Sequence, residues 1–94
     1  MRIDWDPNKS RSNQREHGAS FETAALVFDD SNQLSLQDRY EGGEECWLTM
    51  GLVNGIAVLI VAHTFSDDDG EEIIRIISAR KATPRERRRY HEGI

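Results

Sequence analysis

Apolar positions along this chain change their period more than once, and the changes predict its elements. Arg2 to Trp5 is short and alternating, which predicts a first strand. Asp6-Pro7 then supplies a helix start, with Asp6 as N-cap and Pro7 at the first helical position, where a missing N–H costs nothing. This helix is polar almost all round and stops near His17-Gly18. Ser20 caps a second helix, in which Phe21, Ala24, Ala25 and Phe28 recur at helical spacing until Asp29-Asp30.

Beyond that point the period is two. Gln33 to Gln37 reads as a strand, followed by a loop over Asp38 to Gly43. Cys46 to Val53 and Ile56 to Phe65 flank Asn54-Gly55, the strongest short hairpin signal. Asp67 to Gly70 makes the next turn, and Glu72 to Ala79 returns as an isoleucine-rich strand. Thr83-Pro84-Arg85-Glu86 combines an N-cap, an N1 proline and an N3 glutamate, opening a last helix that runs to about Glu92. The order predicts an α+β fold: an antiparallel sheet, two N-terminal helices and a closing helix packed on it.

Ninety-four residues allow one domain, 1–94, with a single small core. Hydrophobic residues at 37% and charged residues at 31% describe a folded chain, not a disordered one. The lone Cys46 cannot form an internal disulfide. The longest apolar run, Ile56 to Ala62, is far short of the ~20 residues a membrane helix needs. Nothing in the first ten residues resembles a signal peptide, so a cytoplasmic protein is expected. The net charge of −5 conceals two unlike pieces. Residues 1–72 hold fifteen acids against five Lys and Arg, whereas residues 73–94 hold seven Lys and Arg against two acids. Such a basic end suits either phosphates or an acidic protein surface.

Several segments resemble one known family. Asp4-Trp5-Asp6-Pro7-Asn8-Lys9, then Asn13, His17-Gly18, Phe21 and Ala24, is similar to the opening of BrnT-type toxins. Gly43-Glu44-Glu45 followed by Trp47 to Gly51 resembles their central strand, and Ile74 to Ala82 with Glu86 and Tyr90 their closing strand and helix. The resemblance implies a RelE-like fold and the toxin of a bacterial type II toxin–antitoxin module. It implies a metal-independent endoribonuclease that needs no cofactor and blocks translation. The implied partners are RNA and a BrnA-type ribbon-helix-helix antitoxin, with promoter DNA touched only through that antitoxin and no membrane involved. Two positions depart from the pattern: Cys46 stands where an arginine is usual, and Phe65 where a charged residue is common.

Metal-free RNA cleavage by the neighbouring 2′-hydroxyl needs a proton acceptor, cations for the developing charge and an acid for the leaving oxygen. Arg75 and Arg80 are the candidate charge stabilisers, because a guanidinium fork fits phosphate oxygens. They are five residues apart, which places them on opposite faces of a straight strand. His63 is a candidate acid or base. A three-residue loop at Asp68-Asp69-Gly70 sets it across from Arg75, and a four-residue loop sets it opposite Ile74. The competing expectation is a hydrogen-bonded structural histidine. Glu86 and Tyr90, four apart on the last helix, share a side and are a candidate carboxylate base and phenol. Their structural alternatives are the capping box with Thr83 and packing of the helix onto the sheet. Lys9, Lys81, Arg85 and Arg89 are the candidate RNA-phosphate contacts. No group of residues has metal-ligand spacing. A non-catalytic alternative keeps the same fold as a co-repressor subunit whose basic helix docks an acidic antitoxin segment.

Overall fold

Three tight hairpins and two bulges fix which side chains share a face of the sheet. The computed structural model describes residues 1–93, apart from the side chain of Glu41. The elements are β1 (Arg2–Asp4), α1 (Pro7–His17), α2 (Phe21–Ala25), a 3₁₀ turn (Leu26–Asp29), β2 (Leu34–Glu41), β3 (Glu44–Val53), β4 (Ala57–Asp68), β5 (Glu71–Lys81) and α3 (Pro84–Glu92). The five strands form one sheet in the order β1-β5-β4-β3-β2.

The expected antiparallel sheet is in fact mixed. Strands β2 to β5 form an antiparallel meander, but β1 joins the far edge parallel to β5, with Ile3 opposite Ile74. That pairing buries one side of Ile3 against the main core, which a free N-terminal segment could not do. The helices also divide between the two faces. Ala19, Phe21, Ala24 and Val27 pack on Val53, Leu59, Val61, Ile76 and Ala79. On the opposite face, Tyr90 of α3 packs with Val58, Ile60 and Ala82, against half-buried Leu48, Met50 and Leu52.

Local chemistry explains the turns. Asn54 and Gly55 both take positive φ, and Ile56 N–H closes the turn onto the Val53 carbonyl at 3.0 Å. Asp69 and Gly70 do the same between β4 and β5, so Asp68 pairs with Glu71 around a two-residue loop. The segment 38–41, expected as a loop, continues β2 as strand, and the turn is confined to Gly42-Gly43. A register shift between Gln37 and Arg39 leaves Asp38 as a bulge. The second predicted helix loses its α-helical register at Leu26 and ends as the 3₁₀ turn, which backs onto Gly51. A Cβ there would lie 2.8 Å from Val27 Cγ1.

Asn13 seals the part of β5 that β1 is too short to cover. Its side-chain amide donates to the Ala79 carbonyl at 2.8 Å and accepts from the Ala79 N–H at 3.2 Å, as a neighbouring strand would. It also donates to the Ala19 carbonyl at 2.7 Å.

Candidate active site

Arg75 and Arg80 lie on the same face of the sheet, although they are five residues apart. The reason is a bulge in β5. His63 pairs with Ile76 and Ala62 with Ser78, so Ile77 is the extra residue and the alternation resets there. Arg75 stands opposite Thr64 and Arg80 opposite Ile60, both on the α3 face. Their Cα positions are about 13 Å apart along the strand, with Ser78 between them.

The same cross-strand row carries a cation that the sequence did not single out. Arg39 of β2 pairs with Cys46 of β3, which pairs with Thr64 of β4, which pairs with Arg75 of β5. Arg39 and Arg75 are exposed at the two ends of this row, and the small Cys46 and Thr64 between them are buried. The row is therefore a trough with guanidinium-bearing walls. Cys46 thus has Arg39 directly opposite it. The bulge at Asp38 turns Arg39 onto this face; its guanidinium meets the Asp38 carboxylate at 2.9 Å.

Arg80 and Glu86 form a two-pronged pair. Arg80 Nη1 donates to Glu86 Oε1 at 2.8 Å and Nη2 to Oε2 at 2.9 Å. Glu86 Oε1 also accepts the Thr83 N–H at 2.8 Å, while Thr83 Oγ1 accepts the Glu86 N–H at 3.2 Å, which completes the capping box. These contacts, led by the Arg80 hydrogen bonds, hold the Glu86 carboxyl at about 2. A carboxylate so acidic is a weak proton acceptor at neutral pH. Both Glu86 oxygens are engaged by Arg80 and one also by the cap, a geometry that orients the Arg80 guanidinium and competes with the expected base role. Arg75, by contrast, has no acidic partner among the described residues.

The depressed carboxyl makes a pH prediction. Glu86 titrates near 4.5 when unfolded and at about 2 when folded, so its stabilisation is complete above pH 4.5. It is lost as pH falls from 4.5 toward 2. Arg80 is 45% exposed, so solvent screening limits the pair to about 0.5–1 kcal/mol. Glu86→Gln, which keeps the cap, should flatten that acid limb of the stability curve. It should lower activity on the order of tenfold by loosening Arg80, and not abolish it. Thermal melts and cleavage assays from pH 2 to 7 measure both.

His63 is not part of this face. The two-residue loop at Asp69-Gly70 shifts the register by one from the three-residue alternative, so Thr64 and not His63 faces Arg75. His63 is 4% exposed on the α2 face, edge-on to Phe28 with ring centroids 4.9 Å apart. Its Nδ1 donates to the Thr64 carbonyl at 3.2 Å, which leaves Nε2 to accept from Thr49 Oγ1 at 2.7 Å. Ser35 Oγ lies 2.7 Å from the same Thr49 oxygen and completes the chain. Burial pushes the His63 imidazole below its ordinary value and keeps it neutral. It is the structural histidine of the two alternatives.

Tyr90 and Glu86 share a helix side but not a task. Tyr90 is buried, and its hydroxyl donates to Asp30 Oδ2. Burial, then the Asp30 hydrogen bond and charge, raise the phenol above its ordinary value. Among the candidate phosphate contacts, Arg85 and Arg89 are exposed on α3, and Arg89 borders an apolar groove beside Glu86. Lys81 pairs with Leu59 and so belongs by register to the other face, though it is exposed. Lys9 is exposed on α1. Among the described residues no His, Cys, Asp and Glu group has the arrangement of a metal site, and no helix is long and apolar enough to cross a membrane.

The sheet face on the α3 side thus carries exposed arginines at several strand positions, next to a basic helix. Residues 5–86 match the family model described as "Ribonuclease toxin, BrnT, of type II toxin-antitoxin system", and the chain belongs to that family. Among solved structures it is similar to the crystal structure of the Brucella abortus ribonuclease toxin, BrnT. That match has 22% identity and a TM-score of 0.58, and covers 88% of this chain and 97% of that one. At this identity the likeness establishes the fold: α+β, with a five-stranded mixed sheet and helices. No curated protein matches the chain.

Proposed function

We propose that this toxin is a metal-independent endoribonuclease whose active face is the α3 side of the sheet, in a RelE-like arrangement. The observation that carries the proposal is the β5 bulge, which turns Arg75, Ser78 and Arg80 onto one face with Arg39 across from them. The substrate's own 2′-hydroxyl gives its proton to water and attacks the adjacent phosphorus, the bond to the 5′-oxygen breaks as that oxygen takes a proton from water, and a 2′,3′-cyclic phosphate remains. The negative charge that builds on the non-bridging oxygens is met by Arg75 and by the Arg80 that Glu86 holds in place. Arg39, Arg85 and Arg89 follow the flanking phosphates. Catalysis here is mainly electrostatic, since His63 lies on the other face and Glu86 is a weak base.

In the cell, the reading is a cytoplasmic toxin that inhibits translation by cutting RNA and is neutralised by a BrnA-type ribbon-helix-helix antitoxin. The co-repressor alternative draws on the same Arg-rich helix. One experiment separates them: the chain is expressed alone and with its antitoxin, and the purified toxin is incubated with RNA in excess EDTA. The expected result is slowed growth relieved by the antitoxin, with EDTA-resistant fragments ending in cyclic phosphate. Intact RNA and normal growth with soluble, folded protein would select the co-repressor.

A further inference from the structure

The sheet ends in two unlike edges. At one, β1 is three residues long, carries the Arg2 ion pairs to Asp4 and Glu71, and leaves the rest of β5 to Asn13. Short length, charge and a covering side chain are the usual means of keeping an edge from pairing. At the other, β2 is eight residues long and is bonded on one side only, to β3. Backbone groups of alternate β2 residues therefore face outward. Leu36, near the middle of this strand, is 59% exposed.

Two apolar hollows border the same strand, one on each face. On the α2 face, a hollow of about 380 Å³ lies where Ser35 meets Trp47, Phe28 and Phe65. The Trp47 indole N–H is shielded from water and has no hydrogen-bond partner among the described residues, an unmet cost in the free chain. On the α3 face, a hollow of about 270 Å³ lies where Leu34 and Leu36 meet Leu48 and Met50, and it runs up to Glu86 and Arg89. Successive side chains of a strand point to opposite faces. A segment laid along β2 would place one set of side chains toward each hollow, whereas a docked helix would fill only one. Charge sets the chemistry of the segment's end. Arg85, Arg88 and Arg89 of α3 have no acidic partner among the described residues, so they leave a positive rim beside the second hollow.

We infer that the β2 edge receives an extended segment of the protein antitoxin as an added strand, with alternating apolar residues seated in both hollows and acidic residues against α3. The inference rests on the antitoxin partnership of the proposed function and not on RNA cleavage. Main-chain bonds to an edge give affinity, and pockets for alternate side chains give selectivity. The segment's α3-side residues lie against Glu86 and Arg89, next to Arg80, so occupancy also narrows access to the arginine-lined face.

Amide hydrogen exchange tests this on the full chain, alone and in complex with its purified protein antitoxin. Amides of β2 should exchange at least tenfold more slowly in the complex, with β1 unchanged. Leu36→Glu and Phe65→Glu, one for each hollow, should each weaken complex formation at least tenfold in calorimetry. Ile56→Glu, the same apolar-to-acid change on the exposed β3–β4 turn, should bind as the parent does. Thermal melts monitor folding of the variants, and the exchange measurement needs none of them. Protection confined to α3 or the α1 layer, with β2 unchanged, would overturn the inference. So would β2 protection that grows with the concentration of the isolated chain, which would make a second copy the occupant. Each outcome is read without RNA, so loss of the ribonuclease reading would leave this test intact.

Discussion

Arg75→Ala should lower RNA cleavage by about 10²–10³-fold, in the range found when one donor to a developing oxyanion is removed. The same substitution should leave the melting temperature nearly unchanged. Arg75 is exposed, takes part in no ion pair among the described residues, and lies opposite Thr64 on a part of the face that α3 does not pack on. Exposed substitutions of that kind shift stability by no more than about 0.5 kcal/mol. Arg80→Ala makes the contrast. It removes both bonds to Glu86 and so combines a kinetic defect with a small loss of stability, about 0.5–1 kcal/mol given the exposure of the pair. Arg75→Lys should recover part of the rate, because charge is kept while the planar fork is lost. Single-turnover cleavage with thermal melts on the same samples reads all three. A cooperative loss of stability in Arg75→Ala would remove Arg75 from the site and make it a structural cation.

The elements of this fold were legible because their boundaries rest on local chemistry. Asp6-Pro7, Ser20, Asn54-Gly55 and the Thr83-Pro84-Arg85-Glu86 box each do in the structure what their residue types favour. Register was harder, and the site depends on it. Asp69-Gly70 is itself a two-residue hairpin signature; taken that way, it puts Thr64 and not His63 across from Arg75. The bulge at Ile77 left a fainter mark. Ile73, Ile74, Ile76 and Ile77 are all apolar, so alternation alone cannot say which of them face the core. The buried set, Ile74, Ile76 and Ala79, shows the phase slipping by one. Arg39 was missed for a different reason: polar residues next to two glycines read as loop, although cross-strand pairing to β3 carries the strand through them. Nothing local could reveal that Asp30 also meets Leu52 and Tyr90, twenty-two and sixty residues away.

Asp30→Ala should destabilise the protein by about 2–4 kcal/mol, the sum expected when a half-buried acceptor deserts several donors. Just after the 3₁₀ turn, Asp30 accepts the Asn32 N–H at 2.9 Å through Oδ1. Through Oδ2 it accepts the Leu52 N–H of β3 at 2.8 Å and the Tyr90 hydroxyl of α3. One carboxylate thus ties the helical layer of one face to the helix of the other. Burial works to raise its pKa, but the bonds from Tyr90, Leu52 and Asn32 outweigh that and hold it below its ordinary value. The sign follows: the stabilisation is present at neutral pH and fades as pH falls through the carboxylate range. For a chain of this size the loss corresponds to a drop of roughly 10–20 °C in melting temperature. Tyr90→Phe removes only one of the three donors, so about 1 kcal/mol is expected, and the double variant should be little worse than Asp30→Ala alone. Cleavage by Tyr90→Phe, measured well below its melting temperature, should keep the parent rate constant, because the hydroxyl is committed to Asp30 and buried away from Arg75. A cleavage defect in a fully folded Tyr90→Phe would instead return the phenol to the reaction and require α3 to release it from Asp30 when RNA binds.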